Sequence, residues 1–200
     1  MSSKKGSQWE REICYRLSKW WTGKDEELLF WRVANSGGQA TVRSRKGKKT
    51  SGAYADIRSI DPKGEPLTKL VSLELKRGYS GKSIADLLDK PAKSAVQLYE
   101  GWVDKLINTQ KEAGTHSWML ITRRDRREAL VFMPRKLFHM FSDDGNNWDL
   151  AMAMPHFAMD VMIKDIVLSI FALHLETFLN LVSPELVVKL VKRLEKQENV

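Results

Sequence analysis

The hexapeptide Val71-Ser72-Leu73-Glu74-Leu75-Lys76 alternates apolar and polar residues with the period of a β-strand. Val71, Leu73 and Leu75 share one face, and Ser72, Glu74 and Lys76 share the other. A carboxylate and an ammonium are thereby held on one rigid strand, about 6–7 Å apart. Upstream, residues 54–60 alternate as well, with Asp56 on the face of Tyr54 and Arg58 while Ala55 and Ile57 point away. The intervening Asp61-Pro62-Lys63-Gly64 is turn sequence, so the two segments are predicted to form a β-hairpin that sets Asp56 beside Glu74. Two carboxylates converging on one point repel each other unless a cation lies between them. Hard oxygen ligands favour Mg²⁺, with Mn²⁺ as a substitute, and Mg²⁺ also binds phosphate. Such an ion would polarise a phosphate ester and lower the pKa of a bound water. Lys76 would orient that water and stabilise charge developing on the phosphate.

The elements that must position these groups can be read outward from them. Trp9, Ile13, Leu17 and Trp20 recur at helical spacing and give one apolar face. Ser7 and Glu10 have the spacing of a capping box, which would start that helix at residue 7. Residues 28–33 read as a short strand ended by the turn sequence Asn35-Ser36-Gly37-Gly38, and a basic loop follows. After Lys76, residues 84–113 form a helical region with a break before Pro91. Residues 118–122 and 129–133 read as strands joined by a charged turn. Beyond Pro134 the periodicity weakens until Ser183-Pro184-Glu185, a helix start. There Val187, Leu190, Val191 and Leu194 form an apolar stripe that must pack on something. The order is that of an α/β fold with a mixed sheet.

Asp56, followed by seventeen residues and then Glu74-Leu75-Lys76, resembles the D-x(n)-(D/E)-x-K core of the PD-(D/E)XK nucleases. Lys5-Gly6-Ser7-Gln8-Trp9-Glu10-Arg11-Glu12 is similar to the first-helix motif of archaeal Holliday-junction resolvases, and residues 32–38 to that family's arginine- and serine-bearing loop. Residue 55 is alanine where the superfamily motif has proline, and residues 37–51 are longer and more basic than the family's compact loop. The resemblance covers residues 4–125 and implies a restriction-endonuclease-like core: a central mixed β-sheet flanked by helices in the order α-β-β-β-α-β. On this reading residues 1–134 are the nuclease core. Residues 135–200 are a mostly helical C-terminal extension packed on that core or at a dimer interface. The resemblance also implies Asp56, Glu74 and Glu10 as metal ligands and Lys76 as a further catalytic residue. Ser36 is a candidate phosphate contact, with a plain turn role as the alternative, and Glu10 is either a helix cap or a site carboxylate.

Composition sets the bounds. The net charge is +8, and residues 1–50 hold twelve Lys and Arg against five Asp and Glu. Five of those cations, Arg43, Arg45, Lys46, Lys48 and Lys49, fall within seven positions, which suits a polyanion such as DNA. A single cysteine, Cys14, excludes an internal disulfide and fits a reducing compartment. The opening residues lack a signal peptide's apolar stretch. The longest apolar run, residues 167–182, is interrupted by His174, Glu176 and Asn180, so no membrane span is expected. A cytoplasmic protein of a prokaryotic cell or phage-infected host is therefore expected. Gly81-Lys82-Ser83 lacks the upstream glycine of a phosphate-binding P-loop, because residue 76 is lysine. The four histidines lack zinc-ligand spacing. The expected function is a Mg²⁺-dependent endonuclease acting on branched DNA as a homodimer. A duplex or end-processing nuclease of restriction or phage type, and a non-cleaving DNA-binding protein of the same fold, are the competing readings.

Overall fold

The computed structural model describes residues 2–33, 55–89, 96–145, 152–164 and 166–198. The turn at residues 35–38 and the basic stretch at residues 43–49 fall outside them. The chain opens with helix α1 (Ser2–Thr22), followed by strands β1 (Phe30–Arg32) and β2 (Ile57–Ser59). Helix α2 (Glu65–Leu70), strand β3 (Val71–Arg77) and helix α3 (Leu98–Ala113) come next. Strands β4 (Ser117–Arg123) and β5 (Ala129–Pro134), then helix α4 (Arg135–Gly145), lead to strands β6 (His156–Ile163) and β7 (Ile166–His174). Helices α5 (Leu175–Leu181) and α6 (Pro184–Glu198) finish the chain.

The main sheet has the order β3-β4-β5-β7-β6, with β3 and β4 parallel and every other pair antiparallel. It is therefore a mixed sheet flanked by helices, the α/β class read from the sequence. Alternating residues supply two cores. On one face Leu73, Leu75, Met119, Ile121, Val131 and Phe171 pack beneath α1, α4, α5 and α6. On the other, Leu120, Phe132, Ile170 and Ala172 pack against Tyr99, Val103 and Leu106 of α3. The α1 stripe is buried as its spacing required, with Trp9, Ile13 and Leu17 at most 3% exposed. The α6 stripe is buried too, with Val187 and Leu190 fully enclosed.

The extension after Pro134 is mainly helical but also inserts the β6–β7 hairpin, whose β7 pairs with β5 and continues the sheet. The strand β6 shows alternating burial along Met159, Val161 and Ile163.

Two local expectations are corrected. The predicted hairpin between residues 54–60 and 70–76 does not form. Asp61 accepts a hydrogen bond from the Lys63 N–H and starts a 3-10 turn (Pro62–Gly64) that runs straight into α2. Pro62 and Pro66 have φ preset for helical turns and lack the N–H that a ladder needs. As a result β2 pairs antiparallel with β1 instead, Trp31 opposite Arg58. Gly64 is required at the end of that turn, because a Cβ there would meet Ser59 Oγ at 2.6 Å and Phe30 Cε1 at 2.9 Å. The second correction is at the start of α1. The helix begins at Ser2, so Ser7 and Glu10 lie within it and the capping box is absent.

Candidate active site

Although no hairpin joins them, Asp56 and β3 still meet. The Asp56 N–H donates to the Leu73 carbonyl at 2.9 Å, and the Asp56 carbonyl accepts from the Val33 N–H at 2.9 Å. The Asp56 carboxylate then accepts from the Leu75 N–H at 2.8 Å through Oδ2. Asp56 is thus pinned by the two residues flanking Glu74, at the junction of β1 and β3. It is buried, and burial raises its carboxyl above the usual range, with the Glu74 charge pushing the same way.

Glu74 is 1% exposed, on the face of β3 that α3 covers. A lone carboxylate would not ionise there. Its Oε1 instead accepts from Lys76 Nζ at 2.5 Å and from Lys105 Nζ at 2.8 Å. Burial alone would raise the Glu74 carboxyl, but the two ammonium groups outweigh it and hold the group below its ordinary value. Burial would likewise strip the proton from Lys76, yet Glu74 and Asp56 keep its ammonium more basic than usual. The Lys76 ammonium also sits 6.0 Å from the centre of the Trp102 ring, and Trp102 belongs to α3.

Glu10 approaches from α1. It pairs with Arg32 of β1 at 3.3 Å. Burial and the Asp56 charge raise its carboxyl, so Glu10 stands within the field of the Asp56–Glu74 pair. The orientation of α1 follows from a second cluster, built on Trp9 and Glu12. Glu12 accepts from Arg123 at 3.1 Å, and the Arg77 and Arg123 guanidinium groups lie 6.0 and 5.7 Å from the Trp9 ring. That cluster ties the helix to the C-terminal ends of β3 and β4.

The structure therefore gathers Glu10, Asp56, Glu74 and Lys76 at one place. Ser36, Arg43, Arg45, Lys46, Lys48 and Lys49 lie outside the described residues. Lys105 went unnoticed in the sequence. The available signal was its spacing, three residues after Trp102 and hence on the same helical face. Among the described residues, no group of three or more His, Cys, Asp and Glu side chains is placed to hold a metal ion. A pair of carboxylates is nonetheless what Mg²⁺ uses when water and substrate phosphate fill its remaining positions. The cations now on Glu74 Oε1 show that this oxygen accepts positive charge. The donor chemistry of Asp56 and Glu74 fits a hard divalent ion, which these two carboxylates would hold.

No helix among the described residues is long and apolar enough to cross a membrane. No curated protein and no solved structure gives a significant match to the chain. A family model described as "Phage putative PDDEXK endonuclease" matches residues 1–189, and the chain belongs to that family. The match supports the nuclease superfamily; it is to a phage family and not to the archaeal junction resolvases.

Proposed function

Proceeding from membership of a PDDEXK endonuclease family, we propose that this protein is a Mg²⁺-dependent DNA endonuclease that hydrolyses phosphodiester bonds at Asp56, Glu74, Lys76 and Glu10. The observation that carries the reading is the buried Asp56–Glu74 pair, tied together through the Leu75 N–H and neutralised at Glu74 by Lys76 and Lys105. Burying like charges side by side costs stability, which a structural role would not require.

Asp56 and Glu74 would hold the ion, with Mn²⁺ as a substitute. Bound there, it would supply positive charge to the scissile phosphate and acidity to the attacking water. Lys76, freed from Glu74, donates to a non-bridging phosphate oxygen and stabilises the charge that grows on it. Lys105, half exposed at the rim, is placed to do the same for a neighbouring oxygen. Glu10, its carboxyl raised by burial, takes a proton from water on the α1 side. Arg32 fixes the Glu10 rotamer.

The finer reading is a structure-specific enzyme, in which a two-fold homodimer presents two sites to a branched DNA. It rests on the residue 5–12 motif. The phage family match favours DNA processing in a phage-infected cell, with ordinary duplex or DNA ends as the second substrate class.

One panel tests both levels. The protein is incubated with Mg²⁺ or EDTA and four-way, flapped, linear and single-stranded DNAs. Cleavage that needs Mg²⁺ and is lost in Asp56→Asn is the expected result, with four-way DNA cut fastest on the finer reading. No cleavage of any DNA, or cleavage that survives EDTA, overturns the nuclease proposal.

A further inference from the structure

The side-chain row that contains Lys76 continues across the sheet. Successive Cα partners are Lys76 on β3, Thr122 on β4, Leu130 on β5 and His174 on β7. The last three line a cavity of about 280 Å³ at the β4–β5 turn. With strands ~4.8 Å apart, Leu130 lies roughly 10 Å from Lys76 across the sheet. Cavity and site therefore open on the same face, the one covered by α3. They also share an aromatic wall. Tyr99 and Phe132 line the cavity, their ring centres 5.9 Å apart, and Tyr99 packs at 4.8 Å on Trp102, the ring beneath the Lys76 ammonium.

The polar lining is cationic and hydroxylic. Arg124 and Arg127 enter from the turn, and neither forms an ion pair among the described residues. Glu128 also lines the cavity, so the two guanidinium groups leave a net positive charge. Tyr99 and Thr122 add two hydroxyl groups to the lining. A guanidinium pair recognises phosphate through paired N–H donors, and hydroxyls serve the mixed donors and acceptors of a base edge.

We infer that this cavity is a second DNA subsite, which takes one unpaired nucleotide of the strand being cut and holds its phosphate on Arg124 and Arg127. The inference rests on the nuclease reading and narrows its substrate class. A paired base is enclosed by its stack and cannot enter a concave pocket unless it is extruded. A nucleotide that is already unpaired avoids that cost. The preferred substrate is then DNA with an unpaired stretch beside the cleaved bond.

The test measures binding apart from cleavage. Fluorescence anisotropy in EDTA compares a continuous duplex with the same duplex carrying a short single-stranded gap. Wild-type protein should bind the gapped DNA roughly tenfold more tightly, the scale of one well-seated base. The Arg124→Gln/Arg127→Gln variant should lose that preference with an unchanged melting temperature and a smaller loss on continuous duplex. Arg127→Glu, at an exposed position, should lose it also. Equal wild-type affinity for the two DNAs overturns the inference, as does a variant that weakens both equally or keeps the preference. Cleavage separates the two readings. If wild type prefers the gap but cuts nothing with Mg²⁺, the nuclease reading fails and the subsite stands. If it cuts both DNAs with no binding preference, the subsite alone fails.

Discussion

Asp56 concentrates the electrostatic strain of the site, because burial and Glu74 both oppose its ionisation. Its raised carboxyl means that, as pH rises, the unfolded chain loses this proton before the folded chain does. The folded state is thus penalised above the folded pKa, and the penalty disappears below the ordinary carboxylate range. Asn at this position keeps an oxygen for the Leu75 N–H and removes the charge. Asp56→Asn should therefore melt higher than wild type at pH 7.5 in EDTA, by roughly 0.5–2 kcal/mol. The gain should shrink at pH 4, and thermal melts at the two pH values check both size and sign. A variant that melts lower at pH 7.5 would mean that Asp56 is stabilising as an anion. Glu10 makes a related case. Because it is not a cap, Glu10→Gln should leave the melting temperature within about 1 kcal/mol of wild type, since its Arg32 pair is partly exposed. Mg²⁺-dependent cleavage should nonetheless fall by about a hundredfold, the scale of one positioned group. Wild-type cleavage by this variant would remove Glu10 from the mechanism.

At the scale of elements, the site depends on how β2 is delivered to β3. The 3-10 turn and α2 return the chain over Phe30, and a Cβ on Gly64 would crowd Ser59 and Phe30 there. Gly64→Ala should destabilise the fold by roughly 1–3 kcal/mol, the range for overpacking. It should also reduce cleavage, because the same turn sets the approach of Asp56. Denaturant titration checks the first effect and a rate measurement with Mg²⁺ the second. Unchanged stability would show that Ser59 and Phe30 yield freely. Helix α3 is the other positioning element. Its Trp102 and Lys105 pack over the Glu74 face of β3 and leave Glu74 itself 1% exposed.

The whole molecule is organised by the sheet, with the C-terminal residues on both sides of it. Helix α6 buries Val187, Leu190 and Val191 against the core that also holds α1 and β3. Removing residues 183–200 would uncover that core and much of α2. The truncated protein should aggregate or melt well below the full chain, as read by light scattering and calorimetry. A truncated chain of unchanged mass and melting temperature would show that α6 is dispensable.

Much of the arrangement was readable because period and residue type are local. The spacing of Trp9, Ile13 and Leu17 fixes which face of α1 is buried, and the alternation along Val71–Arg77 fixes which side chains accompany Glu74. The Asp56–Glu74–Lys76 spacing pointed to the PD-(D/E)XK superfamily, which the match over residues 1–189 supports, whereas the likeness of residues 5–12 to archaeal junction resolvases is not matched by that phage family. Strand partners are not local. Residues 54–60 alternate whether their neighbour is β1 or β3, and only the competition for backbone hydrogen bonds across the folded chain assigns β1. Strands β6 and β7 depend on the same competition, because their hydrogen bonds are made to each other and to β5. Lys105 reaches Glu74 across thirty-one positions, a contact that exists only once α3 lies on the sheet. Sequence determined which residues could build a charged site and the faces they occupy. Tertiary structure decided which of them meet, because burial and hydrogen-bond satisfaction are properties of the assembled core.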